Sequence, residues 1–397
     1  MVNTVGRWLA GSVMVRMLCG LALAGVLVAV DVGLRPSPLP AAQATWPLAS
    51  PIAPGSRLRL VARGVIPMPP QTPAAHASAL LALPDDQPAA LLAFWFAGQG
   101  ESAADVQIAA SHFDRATRQW SSARFVVNRQ TMGAQLGFGL RRLGNPVAWR
   151  DAQGRVHLFV VATGLGGWAA SRIVHLRQTA MGQDPLQLSF EAERALPLSW
   201  LWNTSHLVRT APLALADGGM VLPVHFELGI KYPLALRFDA QGEFRGMVRM
   251  SARKHVLQPT LLALGETHWL ALMRDQRPEA RVTAVQTLDA GVSWSDLPDL
   301  HLNNPDASVA GLALQPNRLF LAHNSSLHSR AALDLSGSAD GAAWELLQPL
   351  AHAPEPAEFS YPALAWADGS LWVSYTERRR AIAWQRFALE RPHTGTE

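Results

Sequence analysis

The side chains able to do chemistry narrow the possibilities before any fold is considered. Thirteen histidines are present, yet His157, His175, His206, His225, His255, His323 and His328 show neither HExxH nor another metal-ligand spacing, so no metal site is expected. Cys19 is the single cysteine and lies within an apolar N-terminal run, which leaves the remainder without disulfides or thiolate ligands. The net charge of +4 comes from scattered arginines with no basic run interleaved with stacking aromatics, and no nucleic-acid partner is expected. Trp149, Trp168, Trp200 and Trp202 can stack on sugar rings at a pocket rim or pack inside the fold. In Arg378-Arg379-Arg380, directly after an apolar strand, one guanidinium can face a pocket while the others sit in a solvated turn.

The elements that would position such groups are strands. Phe359–Thr376 reads as a hairpin: two apolar and aromatic runs flank Asp368-Gly369, a dipeptide that supplies φ > 0 for a tight turn. Leu371, Val373 and Tyr375 alternate with Trp372, Ser374 and Thr376 at the period of two expected of a strand. The same grammar recurs in Ala77–Phe96, Pro146–Ala162, Pro212–Phe226, Pro259–Met273, Ala310–Ala322 and Pro362–Thr376. Six repeats, each too thin to bury its own faces, predict an all-β fold, a six-bladed β-propeller over residues 57–392. A composition of 49% hydrophobic and 16% charged residues supplies a core and excludes disorder.

Thr287-Leu288-Asp289-Ala290-Gly291-Val292-Ser293-Trp294 fits S/T-x-D-x-G-x-S/T-W, a turn in which Asp and the hydroxyls tie backbone donors, Gly allows φ > 0 and Trp packs the turn down. Ser338–Trp344 is a copy shortened by one residue, and Ser111–Trp120 is a looser one. With these Asp boxes, the motifs His76-Ala77-Ser78, Phe96–Val106, Asn145-Pro146, Gln258-Pro259, Met273-Arg274-Asp275, Asn304-Pro305, His323–Arg330 and Tyr361-Pro362 occur in order. On these residues the chain resembles the sialidase (neuraminidase) superfamily, in its bacterial BNR-repeat form, over roughly residues 57–390.

The resemblance implies an acidic-sugar pocket in which arginines grip a carboxylate bidentately. Arg274 and Arg330 match two of the family's three arginines, His76 stands where the first is expected, and Asn145 and Arg379 are further candidates for the pocket. Tyr361 takes the place of the tyrosine nucleophile, a neutral phenol that can approach an anionic substrate without repulsion. The glutamate that normally accepts its proton is replaced by Gln258, which leaves Glu227 as the nearest substitute. Glu101 or Asp105, in the loop after the first repeat, would be the acid/base, with Glu101 the better match and Asp105 also readable as a turn residue. No cofactor is implied.

At the N-terminus, Arg7 and Arg16 precede the apolar run Met17–Val30, the order of an export signal. Residues 1–34 are expected to be either a cleaved signal, with Ala42-Gln43-Ala44 as an A-x-A site, or an inner-membrane anchor. In both cases the propeller would be exported to the periplasm. Residues 35–56, rich in Pro and Ala, read as a semi-stiff linker. Two functional classes follow: an exported exo-sialidase-like glycoside hydrolase, or a non-catalytic propeller that keeps a degenerate pocket for glycan binding or envelope assembly.

Overall fold

The structure is a computed structural model and describes residues 2–34, 42–48, 50, 52, 53, 55–179 and 187–390. Residues 35–41 of the Pro/Ala-rich stretch and residues 391 and 392 lie outside this set, as do the side chains of residues 2–12, Arg7 among them.

Six antiparallel sheets form the blades of a propeller. Their innermost strands are Ala74–Ala82, Arg142–Arg150, His206–Val208 continued by Leu213–Ala214, Val256–Ala263, Ala310–Gln315 and Phe359–Ala367, in blades 1 to 6. In each blade the chain then runs outward strand by strand. Every one of the six repeats legible in the sequence is the inner hairpin of one blade. Blade 6 differs in its outermost strand, because Arg57–Val65 comes from the N-terminal side and pairs with Ala381–Glu390 to close the ring.

Second strands such as Ala89–Gly98 and Val156–Thr163 are buried along their whole length, since both their faces meet neighbouring blades. Large side chains including Trp95, Trp269, Trp372, Phe94 and Phe159 fill the gaps between blades. The Asp boxes are made as their composition requires: Asp289 accepts from Ser293 N (2.8 Å) and from Thr287 Oγ1 (2.7 Å), Gly291 has φ 85°, and the Trp294 indole donates to Gly291 O (3.2 Å). Asp340 and Trp344 repeat this arrangement.

Four inner strands share one irregularity that positions the site. Pairing with the second strand slips by one residue between His76 and Ala79, Leu143 and Pro146, Leu257 and Thr260, and Ser360 and Ala363. Three of these β-bulges contain Asn145-Pro146, Gln258-Pro259 and Tyr361-Pro362, so a residue without an N–H sits where the ladder is interrupted. Ala77, Gln258 and Tyr361 are left-handed there, with φ of 56°, 52° and 52°. That conformation is a genuine outlier for a bulky side chain and re-aims it relative to the strand.

The N-terminal run is a helix, Val2–Gly33, and Val13–Gly33 is long and apolar enough to cross a membrane. The described part of the Pro/Ala-rich stretch is not detached from the propeller. Ala44 is buried and bridges Leu215, its N–H donates to Glu266 O (2.8 Å), the Trp46 indole donates to Ala263 O (3.0 Å), and Ile52 N donates to Gln315 Oε1 (3.1 Å). Apolar residues among the prolines give this strap something to bury against blades 3 to 5.

Candidate active site

The residues at the starts of the inner strands and in the loops after the second strands meet at one end of the propeller axis. Tyr361 is at the centre. Its ring lies 4.3 Å from the His76 ring at 55°, and the Arg209 guanidinium sits 5.0 Å from its centroid on a cation–π contact. Arg274 is buried beside it, donating to Asp306 Oδ1 (2.6 Å) and Gln258 Oε1 (3.2 Å). Burial works against the charge of Arg274, but the hydrogen bond to Asp306, the charge of that carboxylate and a hydrogen bond with Tyr361 hold its pKa above the usual value.

Blades 5 and 6 and the loop of blade 1 complete the mouth. Arg330 donates to Glu358 Oε1 (3.1 Å) and to the Asp306 carbonyl. Arg379 grips the same carboxylate through Nε (2.7 Å) and Nη2 (3.3 Å), while its Nη1 reaches Glu101. Burial alone would raise the Glu358 carboxyl, yet hydrogen bonds from Arg379 and Ser360 and the charges of Arg379 and Arg330 bring it down to about 2. The three arginines therefore stand at the site already facing carboxylates supplied by the protein, in the geometry a carboxylate ligand would use.

Each residue singled out in the sequence has a definite place. His76 is buried, and neither ring nitrogen has a hydrogen-bond partner. Burial, then the charge of Arg379, lowers its pKa to about 3, so it is a neutral imidazole. Gln258 is buried against Arg274. Asn145 donates to Val208 O (3.1 Å), which ties blade 2 to blade 3. Asp105 accepts from Gln99 N (3.0 Å) within its own loop, the turn-satisfying arrangement, whereas Glu101 reaches across to Arg379. Glu227 is engaged elsewhere: it pairs with His225 (3.3 Å) and Lys231 (3.1 Å), and despite burial these partners lower its pKa to about 2, which makes it a poor proton acceptor. Trp149 is buried, Trp168 is half-buried, and Trp200 and Trp202 are exposed. Among the described residues no cluster of three or more His, Cys, Asp or Glu is placed to hold a metal ion.

Three participants carried no signal in the sequence. Glu358 and Asp306 are ordinary loop carboxylates until the fold sets them against arginines from other segments. Arg209 lies just before Pro212, where the sequence pattern starts the third repeat, in the break that splits the inner strand of blade 3 in two. It is fully buried under Tyr361 and donates to Ser78 O (3.2 Å) in blade 1 and to Pro362 O (2.7 Å) in blade 6, while burial lowers its pKa to about 10. Deeper along the axis, Ala79, Val147, Thr210, Thr260, Gly311 and Ala363 line a narrow channel of which Arg209 forms part.

The sequence matches the BNR repeat-like domain family over residues 89–373. No curated protein sequence matches it. Among solved structures, a Dyadobacter fermentans protein of unknown function is similar with a TM-score of 0.63 at 12% identity, over 85% of this chain and 100% of that one. The sialidase of Trypanosoma rangeli, solved in complex with sialic acid, gives 0.59 at 12% identity over 86% of this chain, which spans 60% of that protein's length. A mutant of the NanB sialidase from Streptococcus pneumoniae gives 0.58 at 11% identity, over 87% of this chain and 72% of that one.

Proposed function

The chain belongs to the BNR repeat-like domain family and has the sialidase-like propeller fold, and on that premise we propose that it is an exported glycoside hydrolase that takes a terminal acidic sugar at the axial pocket. The observation that carries the proposal is the convergence of Arg274, Arg330 and Arg379 from blades 4, 5 and 6 around Tyr361. A sugar carboxylate would take over the guanidinium contacts now made by Asp306 and Glu358. Tyr361 Oη, its proton passing to solvent water, would then attack the anomeric carbon while the carboxylic acid of Glu101, or Asp105, protonates the leaving oxygen. The resulting carboxylate would take a proton from the water that displaces Tyr361 and releases the sugar with retained configuration.

A second reading, glycan binding without turnover, is favoured by one specific feature: Gln258, in the place of the expected base, is bonded to Arg274 and cannot accept the phenolic proton. Turnover of a fluorogenic sialoside by the full chain, alongside uronic-acid and neutral glycosides, separates the readings. Hydrolysis abolished in Tyr361→Phe supports the enzyme. Binding of the acidic sugar with no turnover in either form supports the second reading, and neither binding nor turnover sinks both.

A further inference from the structure

Six large apolar side chains that the propeller leaves in solvent lie on the face that carries the candidate site, over blades 2 and 3. Leu165, 76% exposed, lies in the loop after the second strand of blade 2, the position that Glu101 and Arg379 occupy in their own blades. Trp200, Leu201 and Trp202, between 44% and 61% exposed, lie in the segment entering the inner strand of blade 3, the position of the site-forming starts at Gln258 and Tyr361. Leu228 and Ile230 flank the turn between the second and third strands of blade 3, on the same face. Arg141, beside Leu165's loop through its N–H bond to Thr163 O (2.8 Å), is an exposed cation there.

The membrane-length helix ends at this patch. Asp31 near its C-terminal end is buried and accepts from Ser199 Oγ (2.9 Å) and Leu201 N (3.0 Å), within the loop that carries the two tryptophans. A carboxylate in hydrocarbon is costly, and this docking gives it partners where the helix would leave the bilayer. The groove between helix and propeller, about 380 Å³, is lined by Val28, Asp31, Trp202, Phe226, Tyr232 and Met247. Up to that point the helix from Val13 onward is almost entirely exposed, with no protein surface of its own to cover it.

We infer that the helix is retained as an anchor and that Leu165, Trp200, Leu201 and Trp202 seat blades 2 and 3 in the interface of the same bilayer, so that the pocket opens toward the membrane. Tryptophans are favoured at headgroup depth, and an exposed arginine beside them suits anionic lipid. Arg7 and Arg16, on the N-terminal side of the apolar run, orient the helix with that end in the cytoplasm, so its Asp31 end meets the outer surface. This six-residue patch lies over blades 2 and 3 while Arg330 and Arg379 come from blades 5 and 6, so the seated face is tilted and the mouth overlooks the headgroups. If the pocket takes an acidic sugar, which rests on the function proposed above, that sugar is one presented from the plane of the membrane rather than on a free polymer.

The test reads position, not binding, and so stands apart from the function of the pocket. The full chain with Cys19→Ala is reconstituted in vesicles of phosphatidylethanolamine and phosphatidylglycerol, carrying one cysteine at Leu165→Cys, Trp202→Cys or Leu288→Cys and an environment-sensitive fluorophore. Leu288, on the Asp-box turn at the opposite end of the blades, serves as the aqueous control. Labels at 165 and 202 are expected to be quenched severalfold more by shallow doxyl lipids than by aqueous iodide, and the label at 288 by iodide only. Labels at 165 and 202 that behave like 288 overturn the proposal, as does recovery of a soluble chain beginning near Thr45. Trp200→Ser with Leu201→Ser, which leaves the helix intact, should at least halve lipid quenching at 165; unchanged quenching overturns the role of the rim. The 165 label alone decides the case should Trp202→Cys fail to fold by circular dichroism.

Discussion

The rings of His76 and Tyr361 meet at a tilt where the first and last blades join, centroids 4.3 Å apart, and the imidazole that makes this contact has no hydrogen bond at either nitrogen. Its pKa of about 3 lies far below the 6.5 expected when unfolded. As pH falls below 6.5 the unfolded chain takes up a proton that the folded chain refuses, so stability is lost as pH falls toward 3. His76→Leu should remove about 2 kcal/mol of the stability difference between pH 8 and pH 5. Urea unfolding at the two pH values checks this, since the other buried histidines are common to both proteins; an unchanged pH dependence would show that His76 is already hydrated or paired.

Glu358 also loses stability as pH falls, but over a lower window. Its folded pKa is lowered to about 2, so its contribution is complete above the unfolded carboxyl value near 4.5 and is lost as pH falls from there to about 2. Glu358→Gln should lower stability at pH 7 by on the order of 2–3 kcal/mol, with the gap from wild type closing toward pH 2. It should also leave Arg330 and Arg379 short of a counter-anion and tighten acidic-sugar binding by roughly tenfold. Calorimetric titration measures the affinity, and weaker binding would show that Glu358 contacts the ligand itself.

Arg274→Ala and Arg330→Ala should each weaken acidic-sugar binding about a hundredfold, because each removes a charge-assisted contact worth a few kcal/mol. Affinity for the matching neutral sugar should change less than threefold. Equal losses for both sugars would mean that the variants disturb the pocket's shape rather than its charge.

Arg209→Met should destabilise the propeller by about 2–4 kcal/mol, since Ser78 O and Pro362 O lose their buried donor and Tyr361 loses the cation under its ring. Thermal unfolding should therefore be lowered more than by Arg330→Ala, whose side chain is partly solvated. The reverse order would mean that the axial arginine is replaceable by packing.

The blades were legible because each inner hairpin pairs a run of apolar residues with a turn signal, and six copies outweigh the ambiguity of any one. Tyr361, Arg274 and Arg330 could be picked out because they stand in motifs that a family shares. Glu358, Asp306 and Arg209 could not. Their roles come from segments far apart in sequence, such as Glu358 against Arg379 or Arg209 against Ser78, and nothing local distinguishes them from surface residues until the ring is closed. The strap at Ala44 and Trp46 was hidden for a related reason, as prolines and alanines carry little pattern even where they pack.

Closure by Arg57–Val65 against Ala381–Glu390 also sets an order of events. Translated N-end first, the chain delivers one half of its final seam hundreds of residues before the other. Five blades can assemble on their local hairpins during that interval, but the ring stays open, with the flank of blade 1 unprotected, until the last strand is made. A chaperone that holds an unfinished ring would therefore find its binding surface at the seam, and the shortest C-terminal truncation that removes the partner strand should yield a propeller that pairs edge to edge through the exposed strands.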